Sequence, residues 1–174
     1  MTTPICDFVK KYSQSNITRF HMPGHKGVNQ LGFEEFDITE INGADSLFSC
    51  DGIINESEEN ATKLFGTKKT IYSTAGSTLC IQAMLHLALT GFNYKKPTII
   101  AARNVHKAFV NACALLGINV LWVYPEKSCS ICECKINVDE IENKLKSTDE
   151  CIGVYITSPD YLGNIADIKE ISKV

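Results

Sequence analysis

Pro97-Thr98-Ile99-Ile100-Ala101-Ala102-Arg103-Asn104-Val105-His106-Lys107-Ala108 holds a short apolar run that turns polar and then becomes amphipathic. A run of this length, rich in β-branched residues and without alternation, suits a strand covered on both faces, over Thr98 to Ala102. The polar stretch after it leads into an apolar pattern of helical period, predicting a helix over His106 to Leu116, before Gly117. The same alternation extends in both directions. Upstream the pattern predicts a strand over Thr70 to Ser73 and a helix over Thr78 to Leu89. Downstream it predicts strands over Asn119 to Tyr124 and Ile152 to Thr157, a helix over Val138 to Lys146 and a last helix from about Ala166. Four strand-helix units with short connections imply an α/β fold with a mostly parallel, doubly wound sheet, whose ligands bind where strands end and helices begin.

The segment before this alternation is organised differently. Thr3 and Pro4 form an N-cap and first helical residue for an amphipathic helix through Ile5, Phe8, Val9 and Tyr12. From Arg19 to Gly52 the periodicity gives way to Gly- and Pro-punctuated sequence, followed by a helix from about Ser57 to Phe65 that Gly66 stops. The expected organisation is therefore an N-terminal helix with an extended segment over residues 1–56 and an α/β domain over 57–174. Ile168, Ile171 and Val174 still follow helical spacing at the end of the chain, which reads as a domain cut short.

With 174 residues, of which 44% are hydrophobic, the chain can bury a core, and a formal net charge of -3 provides no basic stripe for nucleic acid or anionic lipid. No secretory leader or membrane-length apolar run is present, so a cytoplasmic protein that binds neither nucleic acid nor membrane is expected. The eight cysteines are spread over predicted helices and strands, as reduced and mostly buried thiols would be.

Several places carry chemistry. Ser73-Thr74-Ala75-Gly76-Ser77-Thr78 lies between a predicted strand and helix; Gly76 permits close backbone approach, Ser77 and Thr78 offer hydroxyls, and a helix start attracts phosphate. The bland alternative is a plain N-cap. No G-x-x-x-x-G-K-[ST] or G-x-G-x-x-G pattern occurs. His106 stands at the next strand-to-helix switch, on the same rim of the sheet, either facing a ligand or simply capping its helix. In Phe20-His21-Met22-Pro23-Gly24-His25-Lys26-Gly27 the Pro-Gly pair argues against a helical metal pair, leaving a substrate-facing loop or a rigid turn. Cys129, Cys132 and Cys134 form a C-x-x-C-x-C cluster without a second ligand pair nearby, and no metal site is assigned.

Taken together, Phe20 to Gly27, Asp37-Ile38-Thr39-Glu40-Ile41-Asn42-Gly43-Ala44-Asp45-Ser46-Leu47, Ser73 to Met84, Ala102 to Ala108, and Thr157-Ser158-Pro159-Asp160-Tyr161-Leu162-Gly163-Asn164-Ile165-Ala166-Asp167-Ile168 resemble the Orn/Lys/Arg decarboxylase family in order and spacing. The resemblance implies an aminotransferase-like major domain, a pyridoxal 5'-phosphate cofactor, and decarboxylation of arginine, lysine or ornithine to a polyamine-pathway amine. It also implies a homodimer or higher homo-oligomer with active sites at the subunit interface. On that template Gly76, Ser77 and Thr78 hold the cofactor phosphate, His106 stacks on the pyridine ring as the catalytic residue assigned here, and Thr157 and Ser158 lie near the ring substituents. His21, His25 and Lys26 belong to a substrate or interface loop.

The family's cofactor-anchoring lysine in a Ser-x-His-Lys context and its ring-nitrogen aspartate have no counterpart among these residues. His25-Lys26 and His106-Lys107 belong to other family motifs. The resulting expectation is an N-terminal part of the enzyme, inactive alone. The alternatives are a non-catalytic protein or gene fragment that keeps the fold, and another enzyme class of the same fold, such as an aminotransferase.

Overall fold

The computed structural model describes residues 2–125 and 135–174. The chain divides into two compact units, Met1–Tyr72 and Ser73–Val174. The cluster of Cys129, Cys132 and Cys134 lies outside the described residues.

In the first unit, helix α1 (Pro4–Ser13) begins at Thr3 with Pro4 in its first turn. Thr3 does not cap in the expected sense. Its N–H and hydroxyl instead donate to the two carboxylate oxygens of Asp7, at 3.1 and 2.9 Å, so the acidic residue of the first turn reaches back as in the return half of a capping box. Helix α2 (Ile53–Phe65) packs against α1 and starts several residues before the expected Ser57. Its cap comes from a distance. Asp45 Oδ2 accepts the N–H groups of Gly52 at 2.9 Å and Ile54 at 3.1 Å. At its other end Gly66 adopts φ +63, a left-handed turn that Gly enters at no steric cost.

The expected strand over Thr70 to Ser73 does not form. A strand needs a neighbour for its ladder, and here the backbone N–H groups are taken by side chains of α2: Thr70 donates to Thr62 Oγ1 at 2.8 Å and Tyr72 to Glu58 Oε1 at 2.7 Å. Because α2 serves both α1 and this segment, it falls in the first compact unit, whereas the sequence reading grouped it with the α/β domain.

The second unit contains helix α3 (Gly76–Thr90), strand β1 (Thr98–Ala102), helix α4 (Lys107–Leu116), strand β2 (Asn119–Val123), helix α5 (Val138–Lys146), strand β3 (Cys151–Tyr155) and the short helix α6 (Ile168–Ile171). Among the described residues the sheet has the order β2-β1-β3 with both pairings parallel, three strands in place of the four expected.

All five residues of β1 are buried. Ile99 and Ala101 pack with Leu85 of α3 and Phe109, Ala112 and Cys113 of α4, while Ile100, pointing the opposite way, packs with Val123 and Ile141 of α5. Helices therefore cover both faces of the sheet, which is why β1 reads as continuous apolar sequence. Full burial of a residue such as Ile100 or Phe109 favours folding by roughly 1.5 to 3 kcal/mol over exposure. Among the described cysteines only Cys113 is buried; Cys6 and Cys80 are exposed and Cys50 and Cys151 lie between. The expectation of mostly buried thiols is thus corrected: Cys6 and Cys80 sit on the solvent sides of α1 and α3.

Candidate functional site

The chain leaves β1 toward α4 on one face of the sheet. After the neighbouring β3 it heads to α6, whose Ile171 packs with α5 on the other face. The two exits diverge, and a crevice opens at the carboxyl ends of β1 and β3, where a doubly wound sheet characteristically binds ligands. A cleft of about 330 Å³ occupies this place, lined by Ser77, Ile81, Asn104, His106, Tyr155, Thr157, Pro159, Asp160 and Tyr161.

Each wall has a local cause. Gly76 takes φ +65 at the entry to α3, with no atom within 4 Å of where a Cβ would stand. The conformation, not crowding, asks for glycine there. Ala75 occupies the cap position with no side-chain hydrogen bond and no acidic residue follows in the first turn, so the positive end of α3 carries neither a side-chain cap nor an acidic residue of its own. Ser77 and Thr78 are exposed on that first turn.

His106 is the N-cap of α4, and its Nδ1 accepts the backbone N–H of Ala108 at 3.1 Å. In the neutral ring the proton then sits on Nε2. The capping side chain also lines the cleft. The ring of Tyr155 lies 4.2 Å, centroid to centroid, from that of Phe109, which seats the cleft's apolar wall on the core. Beside it the Arg103 guanidinium stands 4.7 Å from the centroid of the Trp122 ring, a cation–π contact that ties the β1 exit to β2.

Thr157 faces the cleft, but Ser158 is not among its lining residues. The Ser158 hydroxyl accepts the backbone N–H of Ala166 at 3.0 Å and so holds the loop after β3. Asp160, buried at 8% exposure, accepts the N–H groups of Leu162 and Asn164 and the Asn164 amide, each at 2.9 Å. Asp160 is a turn-builder that sequence reading did not single out; an Asx turn before Gly163 is the signal that marks it.

His21, His25 and Lys26 lie in the first unit. The His21 Nδ1–H donates to the Met22 carbonyl and its Nε2 accepts the Tyr12 hydroxyl at 2.7 Å, beside a separate, mainly apolar cleft of about 450 Å³ that includes Phe8, Tyr12 and Ile41. His25 accepts the Gly27 N–H at Nδ1 and donates from Nε2 to Asp37 at 3.2 Å, while the Lys26 ammonium donates to the His21 carbonyl at 2.6 Å. The motif thus folds as an internally bonded turn. No three His, Cys, Asp or Glu residues cluster as a metal site among the described residues, and no helix there is long and apolar enough to cross a membrane.

Two buried polar atoms lack a hydrogen-bond partner among the described residues, Ser73 Oγ and Asn104 Oδ1. Ser73 ends the strand expected over Thr70 to Ser73 and opens the Ser73 to Thr78 candidate segment, and Asn104 lies in the stretch from Ala102 to Ala108, but neither was singled out as a site residue.

Comparison with known proteins bears on this geometry. An arginine decarboxylase of Halalkalibacterium halodurans is 29% identical over 183 residues, which span 97% of this chain and 36% of that protein. The chain thus spans about a third of that relative's length. Lysine decarboxylase A from Pseudomonas aeruginosa superposes with a TM-score of 0.63 at 22% identity, over 85% of this chain and 22% of that one. The constitutive lysine decarboxylase of E. coli does so with 0.61 at 19% identity, over 91% and 25%. The family model for the Orn/Lys/Arg decarboxylase major domain matches residues 3–174, and on that match the chain belongs to the Orn/Lys/Arg decarboxylase family.

Proposed function

We propose that this chain forms the phosphate side and one ring face of a pyridoxal 5'-phosphate site in a decarboxylase of arginine, lysine or ornithine. The observation that carries the reading is the meeting of Ser77, His106 and Thr157 around one cleft at the carboxyl ends of parallel strands. The residues present fit the cofactor. An uncapped helix start with two hydroxyls suits a phosphate dianion. A histidine ring held by its own cap suits a flat heterocycle, and Ile81 and Tyr155 give the cleft apolar sides. The buried Ser73 Oγ, unpartnered beside the same turn, is the kind of group a bound ligand satisfies.

When bound, the cofactor supplies an electron-withdrawing ring that stabilises the negative charge left on Cα as carbon dioxide departs. This chain's part is binding and alignment. Ser77 and Thr78 donate to the phosphate together with the first N–H groups of α3. His106 holds the ring from one face, and Thr157 stands at its edge. Ser158 acts at one remove, through the loop it anchors. The Phe20–Gly27 turn, with His21, His25 and Lys26, serves a substrate or subunit contact, residues 57–174 supply the first part of the cofactor domain, and the working protein is a cytoplasmic homodimer or higher homo-oligomer.

The test is to titrate the full-length protein with pyridoxal 5'-phosphate and to measure carbon dioxide and amine from arginine, lysine and ornithine. Saturable binding with amine formed from one of the three supports the reading. Formation of a 2-oxo acid without carbon dioxide would establish the aminotransferase alternative, and failure to bind the cofactor would establish a non-catalytic member.

A further inference from the structure

Asn104 stands two residues beyond β1, between the buried strand and the His106 cap, and it lines the same cleft as Ser77 and Thr157. Its Oδ1 is buried without a hydrogen-bond partner among the described residues. Folding has therefore taken this acceptor from water without a donor in return among the described residues, although an apolar side chain of the same shape could occupy the position without that penalty. The neighbours do not meet the need. No described side chain, the His106 Nε2–H included, donates to it, and Asp160 in the opposite wall is itself an acceptor turned toward Leu162 and Asn164.

We propose that Asn104 is a further positioning residue of the cleft, its carboxamide oxygen accepting a hydrogen bond from an N–H or O–H donor of the bound cofactor and amino acid. The inference rests on the pyridoxal 5'-phosphate reading above and adds a residue to it. Position supports the role. Asn104 leaves a fully buried strand and precedes a helix whose cap fixes the chain two residues on, so its backbone is held on both sides. A fixed acceptor of this kind orients a ligand with little loss of freedom on binding.

An acceptor without a donor among the described residues makes a prediction of unusual sign. In the full-length protein, Asn104→Leu should leave the thermal midpoint of the cofactor-free form unchanged or higher. It should also weaken pyridoxal 5'-phosphate about tenfold and displace the absorption maximum of the bound cofactor. Asn104→Asp, which keeps an acceptor of the same shape, should recover part of that affinity. A structural role for Asn104 would show itself as a lowered midpoint of the cofactor-free Asn104→Leu form, and that outcome overturns the proposal. So do unchanged affinity and spectrum in Asn104→Leu when the wild-type protein binds normally. If the wild-type protein itself fails to bind the cofactor, the reading of the cleft falls and this inference with it.

Discussion

The Nδ1 of His106 accepts the backbone N–H of Ala108 at 3.1 Å, so one side chain starts α4 and fixes the plane of its own ring. The two duties separate by substitution. Asparagine also caps helices well. His106→Asn should keep stability within about 0.5 kcal/mol of the parent, whereas His106→Ala should lose about 1 kcal/mol with the cap. Both should impair turnover with the cofactor present. Equilibrium denaturation beside a carbon dioxide assay checks the pair, and normal turnover in His106→Asn would remove the ring from the site.

Ser77 and Thr78 should bind phosphate together with the helix start. Hydrogen bonds to a charged group are worth roughly 1.5 to 3 kcal/mol each, so Ser77→Ala with Thr78→Ala should weaken pyridoxal 5'-phosphate by at least about tenfold. Unchanged affinity in fluorescence titration of the double variant contradicts the assignment.

Glu58 joins two pieces of the first unit. Its Oε1 accepts the Tyr72 N–H at 2.7 Å and its Oε2 accepts the Cys50 thiol at 3.4 Å, in a side chain left 4% exposed. Glu58→Ala strands a backbone donor and should cost about 1 to 3 kcal/mol. Glu58→Gln, which keeps an acceptor, should cost less. Urea denaturation of both variants decides it, and equal losses would mean that the bond to Tyr72 is unimportant.

Backbone donors at Leu31 and its neighbours hold the Glu34 carboxyl at about 2 against its usual 4.5. Burial pushes the Asp45 carboxyl up, but the N–H groups of Ser46, Gly52, Ile54 and Asp51 outweigh it and leave the group below its ordinary range. A carboxyl depressed in the folded state stabilises it above the unfolded value, and that contribution fades as pH falls through the folded value. The turn at 31–34 should therefore loosen between about pH 4.5 and 2. Amide exchange at Leu31 and Phe33 across that window measures it, and Glu34→Gln should abolish the pH dependence.

Burial pushes the Cys113 thiol up to about 11, so near pH 8 it has almost no thiolate. Cys6 and Cys80 are exposed. Brief alkylation of the native protein followed by peptide mass mapping should modify those two and spare Cys113. Labelling of Cys113 at the rate of Cys6 would mean that α4 opens readily.

The parts of the fold legible in the sequence are those decided within a few residues. The strand at Thr98–Ala102 and the helix at Val138–Lys146 have the expected bounds, because apolar run, cap and flank agree there. What escaped depends on distant partners. Residues 70–73 have strand composition, but their donors go to Glu58 and Thr62. The start of α2 answers to Asp45, outside any local capping window. At the cleft, Ser77, His106 and Thr157 stood out through position and family likeness. Asn104 did not, because an asparagine after a strand reads as a loop residue until its burial is known.

The order β2-β1-β3 gives the cleft walls two different supports. The wall bearing Asn104 and His106 is continuous with α4, and the wall bearing Thr157 and Asp160 runs on toward α6 and the layer of α5. A repacking of one helical layer would thus displace one jaw while the other stayed put, so the width of the gap works as a caliper reading of how the two layers are seated across the sheet.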